Sequence, residues 1–168
     1  MYDAPQPARG EVRWELFHLD DHVILRGRKK VPLKPDTSVR QQTLHLGKLM
    51  AQHGRDNLHL RITLVIGGRR VSEETVFLSP PRFLNLRRAR TTTKFRRVSP
   101  TEYDITFGTS AFQHRFAFDF PGRPHRSSDN YFELYPDARK TVRVTFAKPQ
   151  TLPALRRGLA HQSLADSY

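Results

Sequence analysis

The sequence predicts an all-β protein made of two consecutive small β-sandwiches, closed by a short C-terminal tail with some helical character. Three observations carry that expectation. Residues 57–66 set Leu58, Leu60, Ile62, Leu64 and Ile66 at every second position, the longest period-two run in the chain. Turn-forming residues recur roughly every 8–12 positions, which suits sandwiches and not βαβ units. Ser79-Pro80-Pro81 then breaks the pattern and separates two series of strands.

The expected division is a disordered or extended N-terminus over 1–10, a first sandwich over 11–79, a second over 80–148 and a tail over 149–168. Residues 11–18 alternate Val12, Trp14 and Leu16 against Arg13, Glu15 and Phe17, so one face of that strand is mainly apolar. Asp20-Asp21 forms a turn and residues 22–26 return from it. Pro32 and Pro35 flank a connection, because proline lacks the ladder donor. Residues 39–46 are a further candidate strand, and 46–53 a short helix. Gly67-Gly68 supplies the positive φ of a hairpin turn, and residues 69–78 return with Val71, Val76 and Leu78 as apolar members.

Beyond the prolines, strands are expected over 91–98, 102–107, 112–118, 131–135 and 141–146. Tyr103, Ile105 and Phe107 share a face; Phe112, Phe116 and Phe118 are less regular. Residues 152–165 have a proline near the start and Leu155 and Leu159 on one side, with Gly158 weakening the helix they suggest.

Composition narrows the function classes. With 37% hydrophobic and 27% charged residues over 168 positions, the chain can bury a core and is not a disordered segment. No apolar run approaches the length of a membrane-spanning helix. The first residues show no basic stretch followed by an apolar one, so no signal peptide is visible. The absence of cysteine excludes disulfides and thiolate chemistry and leaves the compartment unread. No motif calls for a cofactor. The net charge of +13 suits an anionic partner, and equally an Arg-rich coding bias on an ordinary surface.

Candidate site residues are few. Glycoside chemistry requires two carboxyl groups facing each other across a cleft. Glu73 and Glu74 are adjacent on a strand and so point to opposite faces. Asp129 sits in a turn, where it is expected to cap backbone. Among eight histidines, His18 and His22 straddle a turn and His53 and His59 share no regular element, so no metal centre is expected. No G-x-S-x-G elbow exists, and Gly67-Gly68 lacks the lysine and helix of a phosphate loop.

Trp14 alternates with core residues. Tyr131 and Tyr135 flank Phe132 and Leu134, and are expected on the exposed face as candidate sugar platforms. Between Arg82 and Arg97, seven basic residues occur without an acid; Arg87, Arg88, Arg90, Arg96 and Arg97 are its main members. A nucleic-acid surface would use such charge, but no recognition helix or aromatic RNA-binding sheet accompanies it. Contact with an acidic face of a neighbouring domain is the preferred reading.

The stretch Ser127 to Phe146, SSDNYFELYPDARKTVRVTF, resembles the terminal immunoglobulin-like domain of β-mannosidases of the family 2 glycoside hydrolase type. The first half is similar to the preceding module of those enzymes, through Val12-Arg13-Trp14-Glu15-Leu16, Asp20-Asp21, Pro32 and the Leu58 to Ile66 run. The joint, Phe77-Leu78 then Pro80-Pro81-Arg82 and Leu84, fits too. Departures are Ser127 where an aromatic residue is frequent, Asp137 where glycine is common, and no asparagine ahead of Phe77.

The resemblance implies two immunoglobulin-like sandwiches that form the non-catalytic C-terminal part of such an enzyme. Their partner would be its catalytic barrel, encoded in the same gene or an adjacent reading frame, which carries both catalytic glutamates and is not in these residues. Two alternatives stay open: a free-standing carbohydrate-binding module, and a basic nucleic-acid-binding β protein.

Overall fold

In the first half of the chain, one polypeptide stripe of alternating residues organises everything around it. The computed structural model describes residues 8–35 and 37–167. The expectation for residues 1–7 therefore lies outside the described range, while 8–10 open the first strand. The chain divides into two compact units, residues 1–85 and 86–168.

The first unit holds β1 (Ala8–His18), β2 (Val23–Leu33), the two-turn helix α1 (Gly47–His53), β3 (Leu58–Ile66) and β4 (Arg69–Phe77). They form an antiparallel sheet in the order β2-β1-β3-β4. Register puts Leu16 opposite Leu60, Trp14 opposite Ile62 and Val12 opposite Leu64, so the period-two residues gather on one face. Leu44, Leu46, Leu49 and Met50 cover that face around Leu16, Leu58 and Leu60. Trp14 stands across from Gly27, and a β-carbon there would lie 2.4 Å from the indole Cζ2. Glycine is thus required at 27 by close approach.

Two expectations change in this unit. Residues 39–46 are not a strand; they supply leucines to the layer over the sheet. Val71 is 54% exposed and not an inward member of β4. A register shift pairs Leu64 with Ser72 but Val65 with Arg70, which leaves Val71 as the extra bulge residue. The turn before it is as expected, with Gly67 and Gly68 at φ +56° and +78°.

The second unit is a sandwich of two antiparallel sheets. One has the order β5-β6-β10-β8, from β5 (Thr91–Arg97), β6 (Glu102–Thr109), β8 (His125–Ser127) and β10 (Lys140–Phe146). The other has the order β11-β7-β9, from β7 (Gln113–Asp119), β9 (Phe132–Leu134) and β11 (Ala160–Gln162). Tyr103, Ile105, Phe107, Val142 and Val144 face Phe116, Phe118, Phe132 and Leu134 in one buried cluster. Phe107 is its centre, with ring centroids 5.1, 5.0 and 6.0 Å from Phe116, Phe118 and Phe132. The Tyr103 hydroxyl donates toward the carbonyl oxygens of Pro100 and Gln150, at 3.0 and 2.5 Å.

The uneven aromatic spacing around Phe112 now has a cause. Arg115 takes φ +51°, and the β7–β9 register shifts between Gln113 and Phe116, so parity resets before Phe116. The residues set apart as a tail are built into the sandwich. The helix α2 (Leu152–Gly158) is capped by Thr151 and buries Leu155, and β11 then pairs with β7. The terminal helix is accordingly half as long as its pattern suggests, since residues 160–162 satisfy a strand edge instead.

Phe107→Ala should lower the stability of the second unit by about 3–5 kcal/mol in urea unfolding followed by circular dichroism. Phe83→Ala, on a side chain 53% exposed, should change stability by less than about 0.5 kcal/mol.

Candidate functional site

The Ser-Asp-Asn segment links both sheets of the second unit. The Ser128 N–H donates to the Arg143 carbonyl at 2.8 Å, and its hydroxyl accepts from the Arg143 N–H at 3.0 Å. Two residues on, the Asn130 side chain stands in for a peptide group beside β7. Its Oδ1 accepts from the Phe118 N–H at 3.1 Å, and its Nδ2 donates to the Phe118 carbonyl at 3.0 Å. Asp129 does not cap its own backbone; it pairs with Lys140 at 2.5 Å.

Tyr131 follows at φ +61° and is 70% exposed. It borders a cavity of about 450 Å³ with Asp119, His125, Asn130, His161 and Gln162 on its walls. Tyr135, the second expected platform, is only 3% exposed and packs its ring 5.3 Å from Phe112. The strand ends at Leu134, and Tyr135 bridges to Ala138 in the turn, so the alternation that would have turned it outward no longer applies. The two tyrosines therefore do not share a surface.

The basic cluster is split in the same way. Arg87, Arg88 and Arg90 lie exposed in the connection leading into β5. Arg96, exposed on β5, sits opposite Asp104, which sits opposite Arg143 on β10. Both guanidiniums hydrogen-bond the Asp104 carboxylate. The Arg143 bond, and then that of Arg96, hold this carboxyl below its usual range against the opposing cost of burial. Arg97 reaches the Ser99 carbonyl at 3.3 Å.

Other carboxylates pair with cations nearby. Glu15 meets Arg61 at 2.6 Å, Glu11 meets Arg13 at 2.6 Å, and Glu73 bonds Arg70. Glu73 and Glu74 sit opposite Thr63 and Ile62, hence on opposite faces of β4.

Both domain families that match are mannosidase-associated. The Mannosidase Ig/CBM-like domain covers residues 2–82, and the Ig-fold domain of mannosidases covers 86–167. The chain is a pair of C-terminal immunoglobulin-like domains of a β-mannosidase-like protein.

Solved glycosidases share this two-domain fold. The β-D-mannosidase of Dictyoglomus thermophilum superposes with a TM-score of 0.72 at 12% identity, over 95% of this chain and 19% of that one. The exo-chitosanase CsxA of Amycolatopsis orientalis gives 0.54 at 10% identity, over 96% and 23%. The mannosidase-type pair thus spans about a fifth of the length of those enzymes. No curated protein matches its sequence.

In the mannosidase Ig/CBM-like unit, histidines occupy two settings. His59 is 1% exposed and stacks on Phe17 at 5.2 Å, with the Arg61 guanidinium 4.9 Å from the same ring. Burial, with the Arg61 charge adding to it, pushes its pKa down to about 3. His18 and His22 lie beside each other across the β1–β2 turn with Asp20 between them. Sequence reasoning treated that turn as a separator; the signal that finds the cluster is the His-x-Asp-x-His spacing on a hairpin.

Tyr131→Gly should raise stability by about 1 kcal/mol, since only glycine takes this φ without strain. Tyr135→Ala should lower it by about 3 kcal/mol or more, as for other buried aromatics; both are read by urea unfolding.

An unfolded histidine titrates near pH 6.5, so the unfolded chain takes up a proton at position 59 that the folded one refuses until about pH 3. Stability from His59 is therefore complete above about pH 6.5 and declines by up to about 1.4 kcal/mol per pH unit below it. The fluorescence of Trp14, the single tryptophan, reports this unit, and His59→Leu should flatten the decline between pH 7 and 5.

Proposed function

We propose that these domains are the non-catalytic accessory part of a β-mannosidase-like glycoside hydrolase, supporting a catalytic barrel that lies outside these residues. The observation that carries this reading is the pairing of two mannosidase-domain families across nearly the whole chain, in one continuous order. The chemistry of the polar groups supports it. Asp104, Asp129, Glu15 and Glu73 hold strands and cations in place, whereas glycoside cleavage needs two carboxyls converging on one bond. Arg87, Arg88 and Arg90, exposed ahead of β5, are suited to an acidic face of the neighbouring barrel.

A second reading rests on Tyr131. A bulky residue held at positive φ costs about 1–2 kcal/mol, and its ring is exposed beside a polar-walled cavity. Such an aromatic surface next to hydrogen-bonding groups suits the apolar face of a sugar ring. Calorimetry with manno-oligosaccharides, repeated with Tyr131→Ala, checks this; binding that the substitution leaves intact removes it.

For the main reading, the purified chain should release no nitrophenol from 4-nitrophenyl β-mannoside above the blank. Turnover that survives purification and is lost in Glu73→Gln or Glu74→Gln would overturn it.

A further inference from the structure

We propose that the β1–β2 hairpin end is a binding site for a borderline divalent cation such as zinc, with His18, Asp20 and His22 as its protein ligands. The donor atoms already converge. Asp20 Oδ1 lies 2.8 Å from His18 Nδ1 and 2.5 Å from His22 Nδ1, and ligand atoms of all three residues fall within 4.8 Å of one another. The two imidazole rings stack at 5.1 Å, with 12° between their planes.

The backbone explains why. Leu19, Asp20 and Asp21 make a three-residue hairpin loop, with Asp21 at φ +74°. The His18 N–H donates to the His22 carbonyl at 3.0 Å, and the Asp21 N–H to the His18 carbonyl at 2.9 Å. His18 and His22 are therefore cross-strand neighbours, and Asp20 rises between them. The loop is also pinned to the body: Leu19 is buried and its N–H donates to the Asn57 carbonyl at 2.8 Å. Three ligands on a braced hairpin lose little conformational freedom on binding.

The geometry fits a small cation. Zinc–nitrogen and zinc–oxygen bonds of about 2.0–2.2 Å place tetrahedral ligands about 3.3 Å apart. The present contacts need to open by less than about 1 Å to reach that separation, which exposed side chains achieve by rotation. Two imidazoles and one carboxylate, without sulfur, suit zinc, nickel or copper. Calcium and magnesium prefer more oxygen ligands than the single carboxylate offers. His22 has 55% of its side chain exposed, which leaves a path in and room for water on the open side.

The packing around the cluster also changes character here. Along the buried face of β1, Trp14 and Leu16 meet leucines and Met50 of the covering layer. One step further, His18 meets His53 at the end of α1, with ring centroids 6.0 Å apart, and His53 stands 6.5 Å from His22. An apolar seam thus ends in three imidazoles and a carboxylate.

The test is calorimetric titration of the full, tag-free chain with zinc chloride. One zinc per chain is expected, with no binding of calcium. His22→Ala and Asp20→Asn should each weaken affinity by about tenfold or more, since even loss of a group that only orients a ligand costs about 10–100-fold, while His45→Ala and His161→Ala leave it unchanged. His22 is exposed, so its substitution does not threaten folding, and ring-nitrogen NMR signals of His18 and His22 should shift on zinc addition in the native protein. Absence of binding, equal affinity in His22→Ala, or a loss confined to His53→Ala would each overturn the assignment.

Discussion

The second domain depends on a short polar crossing between its sheets. Ser128 is bound to β10 of one sheet, and Asn130 to β7 of the other, through four backbone-directed hydrogen bonds. Hydrophobic burial holds the sheets together but does not by itself choose their offset. Hydrogen bonds at a fixed two-residue spacing do. Because β8 and β9 have only three residues each, neither strand has enough ladder of its own to set that offset. With the crossing in place, Phe132 and Leu134 enter the core beside Phe107 and Phe116, and Tyr131 is forced into its left-handed conformation.

Charge follows the same logic of placement. The outer row Arg96–Asp104–Arg143 runs across three strands, so one carboxylate screens two guanidiniums that register would otherwise set near each other. In the first domain the outer strands β2 and β4 are rich in Arg, Lys and Glu, which discourages pairing with other chains. On β2 the charge is all positive, whereas the arginines and glutamates of β4 balance each other.

Strong local signals were legible in the sequence. The 57–66 alternation, the diglycine turn and the stripe of Val12, Trp14 and Leu16 each depend on one element and its neighbour, and all three stand in the structure. What was not legible came from irregularity. Val71, Tyr135 and the spacing of Phe112 and Phe116 hinge on bulges or an early strand end, where one residue flips the parity of those after it. Residues 39–46 have strand composition, yet they join no ladder, and Leu44 and Leu46 pack over the apolar face of the sheet. The candidate site was missed for a related reason: His18 and His22 look separated by a turn, and it is the turn that joins them.

The pairing of β11 with β7 also bears on how the chain reaches its fold during synthesis. β7 has β9 on one side and β11 on the other, and residues 160–162 emerge from the ribosome well after residues 113–119. Until then one edge of an aromatic-rich strand stays open, a template for any extended segment nearby. Such a strand is safest when a folded neighbour or a chaperone shields it. Pairing with residues 160–162 is what closes that edge.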